Sequence, residues 1–109
     1  MRLIRYPPFL DLAPSRLLGE FVRALDAGRD VPREDFAANY RRLRSSFDSI
    51  KMRGVPILVA ESREGPITEV EGLTRMACLL SKHMAGERVP SRVKAVLGES
   101  ARLREWNFY

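Results

Sequence analysis

The residues with the most chemical content stand in one stretch, Thr68-Glu69-Val70-Glu71-Gly72-Leu73-Thr74-Arg75, where an acidic strand runs through a glycine into a helical pattern. A helix that starts this way presents backbone N–H groups with no intrahelical partner, and its macrodipole adds roughly half a positive charge. A phosphate or carboxylate is stabilised at such a position. Gly72 lets a ligand approach the backbone, Leu73 contributes its N–H, Thr74 offers a hydroxyl and Arg75 a bidentate clamp. Glu71, at the strand end, is the candidate catalytic group and the candidate ligand of a magnesium ion bridging phosphates; Glu69 is the second candidate metal ligand. The competing reading needs no ligand: Thr74 caps the helix and Arg75 pairs with Glu71 or Glu69. One glycine is a weaker signal than a glycine-rich phosphate loop, so both readings stand on the residues alone.

Other residue types able to do chemistry have plainer explanations. Arg41, Arg42 and Arg44 form a basic group that a nucleic-acid backbone could meet, and equally the wet side of an amphipathic helix. His83 lies eight positions beyond Arg75, a little over two helical turns, and reads as a surface residue away from any ligand at the helix start. Cys78 stands beside Ala77 and Leu79 with no basic neighbour close in sequence to lower its pKa, so it reads as a small buried hydrophobe. Glu61, Glu64 and Glu69, near the hairpin, could join Glu71 in binding metal, though a solvated hairpin tip explains at least Glu64. Glu34 and Asp35 suit the first turn of a helix, where acids complement the dipole.

The elements that must position these groups follow from the apolar spacing. Pro7 and Pro8 predict an extended lead-in over Arg2 to Leu12. Pro14 and Ser15 open a helix carrying Leu17, Leu18, Phe21, Val22 and Leu25, with Gly28 placed to stop it. A second helix after Pro32 carries Phe36, Tyr40, Leu43, Phe47 and Ile50 along one seam. Val55 to Ala60 reads as a short buried strand, and Ile67 to Glu71 as its hairpin partner across the turn residues Ser62 to Pro66. A helix from Gly72 to about Ala85 buries Leu73, Met76, Ala77, Leu80 and Met84, with Gly86 closing it. A third strand is expected over Arg92 to Leu97, then a short helix or turn whose Trp106, Phe108 and Tyr109 dock on the core. The order predicts an α+β domain: a small mixed sheet with flanking helices, two of them N-terminal.

Composition bounds the function. The 109 residues, 45% of them hydrophobic, suit one globular domain over 1–109 that needs no disulfide or metal staple. No apolar run approaches the roughly 18 residues of a membrane span, and a cytoplasmic protein with no membrane partner is expected. A single cysteine supports neither an internal disulfide nor a zinc finger. The net charge of +5 favours anionic partners, and it is uneven: residues 54 to 71 carry −3, against +3 for 33 to 53 and +4 for 72 to 109. Arginine outnumbers lysine sixteen to three, which suits bidentate phosphate contacts.

Three segments together resemble the ParB/sulfiredoxin (ParB-like nuclease domain) superfamily: Pro56-Ile57-Leu58-Val59, then Val70-Glu71-Gly72-Leu73-Thr74-Arg75-Met76-Ala77, then Val89-Pro90 leading into Arg92-Val93-Lys94-Ala95-Val96. The resemblance spans roughly residues 55 to 98. It implies a ParB/sulfiredoxin-like fold whose G-x-x-R helix start, matched by Gly72 and Arg75, contacts a nucleotide phosphate. The family holds CTP-binding partition proteins, nucleases, small-molecule kinases with a D-G-H-T-R form, and sulfiredoxin. Glu71-Gly72-Leu73-Thr74-Arg75 is nearest the kinase form, with Leu73 in place of the histidine. Sulfiredoxin's cysteine follows the motif glycine, where Leu73 stands, so sulfinic acid reduction is not expected. Partition proteins double the arginine where this chain has Thr74 before Arg75, and partition-site recognition is not expected either.

The leading expectation is therefore a ParB-like domain that binds a nucleotide, ATP or CTP with magnesium, or another phosphate compound at Gly72 to Arg75, with phosphate hydrolysis or transfer as a possible consequence. No haem, flavin or zinc is expected. The alternatives are a DNA-binding or nuclease module using Arg41, Arg42 and Arg44, and a catalytically inactive interaction regulator of plasmid or phage type. Homodimerisation is compatible with each.

Overall fold

The computed structural model describes residues 1–32, 35–46 and 54–109. Among them, four α-helices stand with a four-stranded mixed sheet in the strand order β1-β3-β2-β4, an α+β fold. The expected hairpin is formed: β2 (Ile57–Ala60) pairs antiparallel with β3 (Thr68–Glu71), with Leu58 opposite Glu69 and Val59 opposite Thr68. The register slips between Ile57 and Leu58, leaving Val70 as a bulge that increases the local twist just before the strand ends. β4 (Val96–Glu99) adds parallel to β2, and β1 (Arg2–Leu3) adds parallel to β3.

The start of the chain differs from the expectation. Pro7 and Pro8 open a helix, α1 (Pro7–Leu12), because the first helical positions need no N–H donor and proline's fixed φ suits them. The next helix, α2, begins at Leu18 rather than at Pro14 and runs to Asp26. The intervening turn holds Arg16 at φ 65. There the Glu20 carboxylate accepts from the Ser15 N–H at 3.2 Å and from the Ser15 hydroxyl, which ties the turn to the helix's first turn. Leu18, Phe21, Val22 and Leu25 are buried as the spacing predicts, whereas Leu17 is exposed.

In α3 (Phe36–Ser46), Ala37 and Tyr40 are buried and Phe36 and Leu43 half-buried. Phe47 and Ile50, expected further along that seam, and Glu34 lie outside the described residues. The helix is capped from upstream: the Asp30 carboxylate accepts from Ala37 N at 2.9 Å. α4 (Leu73–Met84) buries Leu73, Ala77, Cys78 and Leu79 against α2 and α3, while Met84 is exposed. The core lies between these helices and the sheet face that carries Leu3, and Phe9, Phe21 and Phe36 meet edge to face within it at 5.4 to 6.1 Å.

The last strand is displaced along the chain from the expected Arg92 to Leu97. It includes Gly98, which lies opposite Val59; a Cβ there would meet the Val59 Cγ1 at 3.6 Å. Beyond a 3-10 turn at Leu103–Glu105, Tyr109 docks and is 7% exposed, but Trp106 and Phe108 remain partly exposed, packed on each other at 5.9 Å. Among the described residues no helix is long and apolar enough to cross a membrane.

Candidate anion-binding site

β3 hands the chain to α4 through Gly72, whose φ of 91 lies in the left-handed region that an L side chain adopts at a cost. A Cβ at Gly72 would also stand 3.2 Å from Pro56 Cα and 3.3 Å from Pro56 Cβ. The glycine is therefore demanded by the tight strand-to-helix turn and by packing on Pro56, rather than by room for a ligand. The register that sets Ile57 opposite Glu71 brings Gly54, Pro56, Gly72 and the start of α4 to one end of the hairpin.

The first helical bond runs from Met76 N to Gly72 O at 3.0 Å, so the N–H groups of Leu73, Thr74 and Arg75 have no intrahelical acceptor. No described side chain is seen to cap them, and the first turn of α4 holds no acid. Leu73 is buried, Thr74 half-buried and Arg75 exposed. The Arg75 guanidinium crosses Gly54, with Nη1 2.5 Å from where a Cβ there would stand. Arg75 forms no ion pair with another described residue. Both devices of the ligand-free reading, a Thr74 cap and an Arg75–Glu pair, are thus unformed among the described residues.

The two acids part company. Glu71 is exposed at the strand end. Glu69 lies between Leu3 and Leu58 on the neighbouring strands and is 2% exposed, with Oε1 lacking a partner among the described residues. Burial, then the Glu71 charge, pushes its pKa up to about 7. The alternation sets Ile67, Glu69 and Glu71 on one side of the strand against Thr68 and Val70 on the other, but burial does not follow it: Thr68 and Glu69 are both buried and Val70 and Glu71 both exposed. Among the described residues no group of three or more His, Cys, Asp or Glu side chains is assembled around a common point.

The three arginines of α3 differ in their surroundings. Arg41 and Arg42 are exposed, whereas Arg44 turns to α4, donating to Ser81 Oγ at 3.0 Å and pairing with Glu87. His83 is exposed, as expected. Cys78 is fully buried, its thiol donating to the Tyr40 carbonyl at 3.8 Å and pushed up to about 11, chiefly by burial.

Two polar arrangements escape the sequence. Tyr40 donates to Asp26 at 2.6 Å and Ser81 donates to the other Asp26 oxygen at 2.9 Å, so one carboxylate joins α2, α3 and α4. The signal for it, three polar groups interrupting apolar helix faces, carries no fixed spacing. Arg2, Arg5 and Arg104 meet at one pocket from sequence positions too distant for any motif to link. Comparison of the chain with protein-family models, with curated proteins and with solved structures finds no match.

Proposed function

We propose that this chain is a ParB/sulfiredoxin-like domain that binds the phosphate of a nucleotide or related compound at the Gly72–Arg75 turn. The observation that carries the reading is the start of α4: three N–H groups with no acceptor among the described residues, beside an Arg75 guanidinium that has no ion-pair partner among them either. Helix N–H donors and a charge-assisted arginine contact together suit a phosphate oxygen cluster. Where magnesium accompanies the phosphate, Glu71 is the exposed carboxylate at this end of β3, and Glu69 is walled in by Leu3 and Leu58. A magnesium ion held here would take one protein carboxylate and draw its other ligands from phosphate and water.

Calorimetric titration of ATP, CTP and GTP with magnesium against the wild type and Arg75→Ala tests this. The variant is expected to lose about 1.5–3 kcal/mol, roughly ten- to hundredfold in affinity, as the charged hydrogen bond is removed. Absence of binding at millimolar nucleotide, or binding untouched by the substitution, contradicts the reading.

A further inference from the structure

A pocket of about 480 Å³ lies at the opposite end of the hairpin from Gly72, between Glu61 after β2 and Pro66 before β3. Small-molecule sites span about 300–1,000 Å³, so the space is of ligand size. Three of its walls are guanidinium groups. Arg2 donates to Thr68 Oγ1 at 2.8 Å and lies over the Tyr109 ring, 4.6 Å from its centroid. Arg104 donates to Glu61 at 2.7 Å. The Arg5 side chain, anchored at its backbone by a 2.6 Å bond from its N–H to the Phe108 carbonyl, forms no ion pair among the described residues.

The frame around this pocket is held rather than open-ended. Arg16 donates to the Leu3 carbonyl at 3.1 and 3.0 Å and to the Tyr109 main-chain oxygen, locking the tail onto the first strand. Burial, followed by the Arg2 and Arg5 charges, lowers the Arg16 pKa, so these guanidinium groups already press on one another. The side chains lining the pocket sum to a charge of +2, Arg2, Arg5 and Arg104 against Glu61. A phosphate monoester carries about that charge with opposite sign near neutral pH. Trp106, 38% exposed, also lines the pocket and offers a flat surface for a ring, and Asn107 beside it carries both a donor and an acceptor. Tyr109, another lining residue, is 7% exposed and holds its ring beneath the Arg2 guanidinium.

We propose that this pocket binds a phosphate monoester carried on a planar ring system, the chemistry of a nucleoside monophosphate, with Arg5 as the principal phosphate contact and Trp106 stacking on the ring. The site is separate from the α4 turn, since β3 alone sets them about 10 Å apart, and it stands whether or not the Gly72–Arg75 reading survives. Titration of the full chain with nucleoside monophosphates, ribose 5-phosphate and inorganic phosphate, followed by amide chemical shifts, tests it.

The expected result is saturable binding of the monophosphate, weakened about ten- to hundredfold by Arg5→Ala. Arg75→Ala should leave this binding intact. Absence of saturable binding up to millimolar ligand overturns the proposal. So does loss with Arg75→Ala but not Arg5→Ala, which places the ligand at α4. Equal affinity for ribose 5-phosphate, unaffected by Trp106→Ala, overturns the assignment of a ring-bearing ligand.

Discussion

Replacing Glu69 by glutamine should shift stability progressively in the variant's favour as the pH rises. The carboxyl group sits between Leu3 and Leu58, 2% exposed and with one oxygen unpartnered among the described residues, and its pKa is raised from 4.5 to about 7. The folded state therefore holds the proton more tightly than the unfolded chain does. Stability is unaffected by the group below about pH 4.5, falls as pH rises from there, and levels off above about pH 7. At 1.36 kcal/mol per pKa unit, that displacement corresponds to about 3 kcal/mol as an upper bound. Glutamine does not titrate, so any cost of its own buried amide is a constant offset. The difference in unfolding free energy, variant minus wild type, should grow by up to about 3 kcal/mol between pH 4 and pH 8. With a urea m-value of about 1–3 kcal/mol/M, the relative midpoints should separate by about 1–3 M. Glu71→Gln should reduce the wild type's pH dependence, since the Glu71 charge is the second cause of the shift. A difference that stays flat across this range, or that shrinks as pH rises, would refute the burial argument.

Gly72→Ala should cost at least about 1–3 kcal/mol from the left-handed backbone alone, and more because its Cβ would approach Pro56 Cα at 3.2 Å; denaturant unfolding that moves by less than this range counts against the packing account. Tyr40→Phe removes the 2.6 Å bond to Asp26 and should destabilise by about 1.5–3 kcal/mol, as expected for a hydrogen bond to a charged acceptor. A thermal midpoint unchanged by that substitution would mean that the three helices do not depend on their shared carboxylate.

The middle of the fold is legible because its signals are local. Val55 to Ala60 is a short apolar run, Gly72 stands where strand gives way to helix, and Leu73, Met76, Ala77 and Leu80 recur at helical spacing, and these place β2, β3 and α4 nearly as observed. The N-terminal segment is harder because proline has two meanings: Pro7 and Pro8 break a helix from within and start one at its first turn, and only the docking of Phe9 on Phe21 and Phe36 decides between them. β1 is two residues long and exists through pairing with a strand more than sixty positions away, so nothing local announces it. The same holds for the site. The strand-to-helix turn at Gly72 is readable from the sequence, but whether Thr74 caps it is not, and the burial of Glu69 is set by the β1–β3–β2 register and not by its neighbours in sequence. Arg44 reads as one of three equivalent arginines until Ser81 and Glu87 are brought beside it.

The central claim is that the start of α4 receives a phosphate, and the backbone amides of Leu73, Thr74 and Arg75 report on it directly. Titrating the protein with ATP and magnesium while following those three amide resonances should move all of them saturably, with one shared affinity that Arg75→Ala weakens about ten- to hundredfold. Resonances that stay fixed at Leu73, Thr74 and Arg75 while others respond, or that move identically in the variant, would contradict it.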